Sequence, residues 1–364
     1  VKNGIQVMTL ILFLVGLVLL IVGAEGLVRG ASRLAARLGI SPLIIGLTVV
    51  AFGTSSPELA VSLKAALSDQ AGIAMGNVVG SNIFNVLFIL GVSALIVPLL
   101  VARQLVRFDI PLMILLSVGL LLLTLDGLLG RLDGFLLVLG LAIYLGFLLF
   151  QNQRSKKKET PETRETTAPP APWALNLGLV AGGLVLLVLG SRWFVEGAVT
   201  LAVHLGVSDQ IIGLTIIAAG TSLPEVVTSI IAALRGERDI AIGNVVGSNI
   251  FNILGVLGLT GLLPPSGIAV SSAMVGFDLP VMIAVALACL PICFTGGVIS
   301  RGEGGAFLAY YVAYTLYLVL GASHHDALAG FGAVMLYFVI PVTALTLVAL
   351  SMQEARRRRT RGQK

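Results

Sequence analysis

The sequence predicts an all-α polytopic membrane protein: two inverted five-helix repeats with broken helices, plus one extra C-terminal transmembrane helix. Three observations lead there. The 364 residues are 57% hydrophobic and only 11% charged, against about 25% charged in a soluble domain. The apolar residues fall in runs long enough to cross a bilayer core of roughly 30 Å, which takes about 20 residues per helix. One half of the chain also repeats the other.

Runs near 5–24, 41–67, 72–98, 107–125, 132–150, 174–191, 208–234, 239–263, 274–294, 304–322 and 328–350 make eleven expected spans. Because Lys2 precedes the first run, a signal peptide is its other reading. Its length beyond the usual roughly 7–15 residues, and its counterpart at 174–191, favour a span. The 43 glycines suit helices packed closely in lipid.

Charge orients the spans. With eleven crossings, 19 Lys and Arg fall on the side of the C-terminus, including Arg29, Arg33, Arg37, Lys156–Lys158 and Arg356–Arg359. Four fall opposite: Lys2, Lys64, Arg131 and Arg192. The positive-inside bias makes the first side cytoplasmic and puts the N-terminus outside. Ten spans would separate the two basic clusters, so charge supports the eleventh helix independently. These clusters are short and lie between apolar runs, so the net charge of +5 is no nucleic-acid footprint. The expected organisation is a first repeat over 1–150, a cytoplasmic linker over 151–172, a second repeat over 173–322, and the extra helix with a basic tail over 323–364. The linker is polar and ends Ala168-Pro169-Pro170-Ala171-Pro172, a flexible connection.

Residues 39–95 align with 206–262 at a constant offset of 167, with 33 of 57 positions identical; Gly76–Asn85 recurs letter for letter at 243–252. The copies begin on the second and seventh spans. Five crossings separate them, so they insert upside down relative to each other. That is an architecture of secondary transporters, whose ion sites lie at the midplane between repeats.

Glu58 in Gly53-Thr54-Ser55-Ser56-Pro57-Glu58 and Glu225 in Gly220-Thr221-Ser222-Leu223-Pro224-Glu225 fall mid-span. An acid there costs roughly 2.5–3.5 kcal/mol on insertion scales, so the pair needs a cation or protons; the other reading, two protonated glutamates bonding between helices, is disfavoured by the many oxygen ligands around them. Pro57 and Pro224 remove backbone donors, making the carbonyls of Ala51, Thr54, Ala218 and Thr221 candidates to turn toward an ion. In the second motif Ser81 and Asn85 are four apart and share a helix face, as do Ser248 and Asn252. Asn77, Asn82, Asn244 and Asn249 suit caps or bonds between helices. No Lys follows the Gly-rich stretch at phosphate-loop spacing. Oxygen ligands alone suit hard cations such as Ca²⁺. No His or Cys lies in the core of the repeats, which disfavours zinc, copper and iron. One Ca²⁺, two Na⁺ or two protons each balance the two carboxylates, so these ions compete for one site.

At these motifs the sequence resembles the calcium/cation antiporter superfamily, which includes the Na⁺/Ca²⁺ exchangers, and most of all its compact prokaryotic members. The resemblance covers nearly all of 1–322. It implies a secondary antiporter of the inner membrane that exchanges Ca²⁺ for Na⁺ by alternating access, with no cofactor, no required protein partner, and lipid and inorganic cations as its surroundings. It further implies Glu58 and Glu225 as central Ca²⁺ ligands, supported by Thr54, Ser55, Ser81 and Asn85 and by Thr221, Ser222, Ser248 and Asn252, and a movement of the first and sixth helices across the core. Many Na⁺-coupled relatives carry Asp where this chain has Asn252, which leaves H⁺ and K⁺ open as coupling ions. An intramembrane enzyme using the paired acids lacks any accompanying nucleophile, metal triad or nucleotide motif, and a channel would bind ions too tightly for fast conduction.

Other polar residues have modest readings. Glu25, Arg192 and Glu196 are interfacial. Asp109 and Asp278 precede prolines and suit helix caps. His324, His325 and Asp326 form an outer loop, and Cys289 and Cys293 are buried thiols.

Overall fold

The computed structural model describes residues 2–68, 70–156, 172–205 and 212–361. Each of the eleven apolar runs has a helical counterpart: α1 (Lys2–Leu38), α2 (Pro42–Thr54 and Ser56–Leu67), α3 (Gly72–Ile96), α4 (Leu105–Leu123), α5 (Arg131–Lys156), α6 (Trp173–His204), α7 (213–220 and Leu223–Leu234), α8 (Arg238–Leu262), α9 (Met274–Phe294), α10 (Arg301–Ala322) and α11 (Ala327–Glu354). Among the described residues nine are long and apolar enough to cross a membrane, and the bent pair forming α2 makes a tenth. The seventh run is divided, and its residues 208–211 lie outside the described ones, as do 157–171 of the expected linker and 362–364 of the tail.

Hydropathy misjudges two lengths. The first run was expected over 5–24 and the sixth over 174–191, yet α1 has 37 residues and α6 has 32. Hydropathy marks only the apolar part of a helix. The helical backbone continues through charged turns carrying the i,i+4 pairs Glu25–Arg29 and Arg192–Glu196. The linker also starts later than 151, because α5 runs to Lys156.

The two halves are bound reciprocally. Strand β1 (Leu99–Leu100) pairs antiparallel with β4 (Val298–Ile299), and β2 (Leu128–Leu129) with β3 (Ile268–Ala269). Each two-residue pair joins a loop of one half to a loop of the other. At the centre lie α3 and α8; the apolar window of α8 is wholly buried. Large apolar side chains such as Leu115, Leu132, Ile143 and Leu345 are exposed around the outside, as expected of a surface facing lipid.

The longest packed pair is α1 against α6. Gly16, Gly23 and Gly30 recur every seven residues on α1, and Gly183, Gly190 and Gly197 on α6, again offset by 167. A Cβ on Gly23 would lie 2.8 Å from the Gly183 carbonyl oxygen, and one on Gly190 would lie 2.8 Å from that of Gly16. Only glycine permits this approach.

Candidate functional site

The break in α2 follows from its sequence. Pro57 has no N–H for the Gly53 carbonyl four residues back, and Ser55 leaves helical geometry at φ −80°, ψ 7°. The helix bends by 45° there. The released carbonyl finds a donor within the protein: the Ser56 hydroxyl donates to Gly53 O at 2.7 Å. In α7 the Ser191 hydroxyl donates to Gly220 O at 2.6 Å. The Ala51 carbonyl is not the one that Pro57 releases: it accepts the Ser55 N–H at 3.0 Å and is approached by Thr54 Oγ1 at 3.4 Å. Proline frees the carbonyl four residues before it, and Ala51 is six before. Its counterpart Ala218 is exposed whereas Ala51 is buried.

Both glutamates sit just past a break and are fully buried, with 0% exposure. Each is held by a serine of the other repeat. Ser55 donates to Glu225 Oε1 at 2.8 Å, and Ser222 donates to Glu58 Oε1 at 2.7 Å. Because Ser55 is three residues from Glu58, and Ser222 three from Glu225, this crossed pair brings the two acids to one place. Ser81 Oγ lies 3.1 Å from Ser222 Oγ.

The threonines are arranged in the same crossed way. Thr54 donates to Asn244 Oδ1 at 3.1 Å, and half-buried Thr221 donates to Asn77 Oδ1 at 3.3 Å. Asn77 in turn donates to Glu58 O at 3.1 Å and to Ser62 at 2.9 Å; Asn244 donates to Glu225 O at 3.4 Å and to Ser229 at 3.0 Å. With the hydroxyl protons of Ser55, Ser222, Thr54 and Thr221 donated to these acceptors, lone pairs on the four oxygens are left over.

Asn85 and Asn252 each open a π-helical turn, Asn85–Leu90 and Asn252–Leu257, a feature that often marks functional sites. The turn that begins at Asn85 packs on the helix carrying Glu225, and the one that begins at Asn252 packs on the helix carrying Glu58.

The outcome is a set of buried oxygens without a hydrogen-bond partner: Glu58 Oε2, Glu225 Oε2, Asn85 Oδ1, Asn252 Oδ1 and Ser248 Oγ. Leaving such groups unpaired is costly, and four of the five form two symmetry-related pairs. Oxygens of this kind are the donors that hard cations accept. Among the described residues no three His, Cys, Asp or Glu cluster to hold a metal, so the neutral oxygens have to complete any coordination around the two acids.

The capping role expected of Asp109 and Asp278 is corrected. The chain before each is already helical, so few N–H groups need a cap, and neither side chain caps. Instead Tyr144 donates to Asp109 Oδ1 at 3.0 Å and Tyr314 to Asp278 Oδ1 at 3.2 Å. Glu25 is more than interfacial: it pairs with Arg29 and, across the halves, with Arg235, whose Nε lies 3.0 Å from Glu25 Oε2. Cys289 and Cys293 are free and buried, with Sγ atoms 3.7 Å apart.

Comparison with known proteins shows the family of the chain. A family model described as sodium/calcium exchanger protein matches residues 8–151 and 175–320. The chain is 43% identical to the putative antiporter CaxA of Alkalimonas amylolytica over 310 residues, covering 84% of this chain and 96% of that protein. It is 40% identical to the inner membrane protein YrbG of Escherichia coli over 287 residues, covering 78% and 88%. A solved structure of the sodium-calcium exchanger NCX_Mj superposes with a TM-score of 0.72 at 33% identity, covering 84% of this chain and 97% of that one. The helices, the crossed acids and these likenesses agree: this chain is an integral membrane protein of the sodium/calcium exchanger family, a family of cation antiporters.

Proposed function

We propose that this chain exchanges Ca²⁺ for Na⁺ across a prokaryotic inner membrane by alternating access to one site between two inverted repeats, 1–150 and 173–322. The observation that carries the reading is the symmetric set of unpartnered buried oxygens on Glu58, Glu225, Asn85 and Asn252. Two carboxylates bear a charge of −2, which one Ca²⁺ or two Na⁺ neutralise. An empty site would leave two unpaired charges in a low-dielectric interior, a costly state. That cost favours carriers loaded with one ion type or the other, which is the condition for exchange.

Glu58 and Glu225 act as the central ligands. Thr54, Ser55, Ser81, Thr221, Ser222 and Ser248 supply hydroxyl oxygens, and Asn85 and Asn252 supply amide oxygens. Ala51 contributes through the second lone pair of its carbonyl, and Ala218 correspondingly on the other side. The neutral ligands suit Na⁺ and Ca²⁺ alike, since both are hard cations that accept oxygen. The basic side faces the cytoplasm and the N-terminus lies outside. The glycine-lined seam between α1 and α6 lets that pair shift along the core without separating.

The test is Ca²⁺ uptake into proteoliposomes under an imposed Na⁺ or H⁺ gradient. Uptake driven by an outward Na⁺ gradient at constant pH is the expected result. Uptake driven by a pH gradient in Na⁺-free buffer would overturn Na⁺ coupling in favour of H⁺/Ca²⁺ exchange, while a K⁺ requirement would add a third ion.

A further inference from the structure

An asparagine can serve a cation only through its carbonyl oxygen. Turned by half a rotation, the same side chain presents an NH₂ group and repels the ion. At Asn85 and Asn252 something must decide between the two orientations before the ion arrives. The structure supplies a candidate on the neighbouring turn of each central helix. Asn252 Nδ2 donates to Asn82 Oδ1 at 3.1 Å, and Asn85 Nδ2 donates to Asn249 Oδ1 at 2.9 Å.

That bond would be no constraint if Asn82 and Asn249 were themselves free to turn over. They are not. Asn82 Nδ2 donates to the backbone carbonyl of Asn249 at 3.3 Å and lies 3.7 Å from Met282 Sδ. Asn249 Nδ2 donates to the backbone carbonyl of Asn82 at 3.3 Å and lies 3.4 Å from Met113 Sδ. A carbonyl and a thioether accept hydrogen bonds and never donate them. Reversing either amide would set oxygen against both. Each orientation therefore traces back to a backbone carbonyl of a helix, which cannot turn. Both amides are nearly sealed from solvent, at 2% exposure, so water offers no alternative partner. At the end of each chain of bonds stands one free oxygen, Asn252 Oδ1 or Asn85 Oδ1.

We propose that Asn82 and Asn249 are positioning residues that lock the amides of Asn252 and Asn85 with their carbonyl oxygens left free for the transported cation. This rests on the reading of the site given above. The two clamps are reciprocal across the repeats, so each half of the protein orients a ligand belonging to the other. The device explains how a neutral amide at position 252 serves in place of an acid. A carboxylate has no wrong face and needs no clamp; an amide has one and needs it.

The test is a double-substitution cycle read by half-maximal Ca²⁺ concentration and maximal rate in proteoliposomes. Asn82→Ala is expected to raise the half-maximal concentration about tenfold, the worth of one well-made hydrogen bond to a ligand, with the maximal rate changed far less. In an Asn252→Asp background the same Asn82→Ala change is expected to be neutral or favourable, because an acceptor pressed against the carboxylate is removed. An equal loss in both backgrounds would overturn the proposal, since a purely structural asparagine is needed whatever stands at 252. The mirror cycle, Asn249→Ala with Asn85→Asp, carries the same test if the first variant does not fold. Failure of both cycles to fold would assign the pair to structure and overturn the proposal as well. Glu58→Gln separates the two levels: exchange retained there refutes the site itself, whereas its loss together with an uncoupled cycle refutes the clamp alone.

Discussion

The chemistry is concentrated in a few side chains whose protons and lone pairs can be followed one by one. Glu58 and Glu225 have one oxygen held by a serine and one without a partner. Replacing either carboxylate by the amide of Gln removes a full charge from the proposed site. Glu58→Gln and Glu225→Gln are each expected to abolish Ca²⁺ exchange in proteoliposomes while the protein stays folded by size-exclusion chromatography. Ser55→Ala and Ser222→Ala remove one hydrogen bond to a carboxylate, worth about 1.5–3 kcal/mol. Each is expected to weaken apparent Ca²⁺ affinity roughly 10- to 100-fold, measured by the Ca²⁺ dependence of uptake. Equal Ca²⁺ affinity in wild type and both serine variants would show that the crossed bonds do not orient the ligands. The two motifs that hold these residues were legible from the constant offset of 167. Which serine serves which glutamate was not, because the bonds cross between residues 170 and 164 positions apart.

Among the helices, the same duplication reappears as packing. The glycine row of α1 meets that of α6 so closely that Gly23→Val would put a Cβ 2.8 Å from the Gly183 carbonyl oxygen, with a further methyl pair beyond it. Overpacking of this kind typically costs 1–3 kcal/mol. Gly23→Val is expected to lower the thermal midpoint of the detergent-solubilised protein by several degrees and to slow exchange more than it weakens Ca²⁺ affinity. An unchanged midpoint would mean that the helices separate at no cost. The Glu25–Arg235 pair ties α1 to the turn between α7 and α8 and is partly exposed. Pairs of this kind contribute about 0–1 kcal/mol, so Glu25→Gln is expected to leave the midpoint almost unchanged. Hydropathy alone placed eleven helical stretches but ended α1 and α6 too early, since lipid-exposed and water-exposed turns of one continuous helix differ in polarity and not in backbone geometry.

For the whole molecule, the reciprocal strand pairs and the crossed hydrogen bonds make each half the complement of the other. Helix α11 stands outside this scheme: its window is 0% buried and the family match stops at residue 320. Removal of residues 323–364 is therefore expected to preserve Ca²⁺ exchange, checked by uptake at matched protein density in the liposomes. Ligand linkage gives a further check. An ion bound only by the folded state stabilises it by RT ln(1 + [L]/Kd), about 2.7 kcal/mol at a hundredfold excess over Kd. Ca²⁺ is expected to raise the thermal midpoint of the wild-type protein and to leave that of Glu225→Gln unmoved.

By itself the sequence determined the class of protein, the apolar helical stretches and the duplication. Those are local or periodic properties: apolar length answers to bilayer thickness, proline to a missing donor, and a fixed offset to common ancestry of two segments. Only the tertiary structure decided which proline-released carbonyls are satisfied by hydroxyls, that Asp109 and Asp278 meet tyrosines rather than capping helices, and that Asn82 and Asn249 hold the amides across the repeats. Hydrogen bonds between segments more than a hundred residues apart leave no spacing in the chain to read, because their partners become neighbours only when the two halves close on each other.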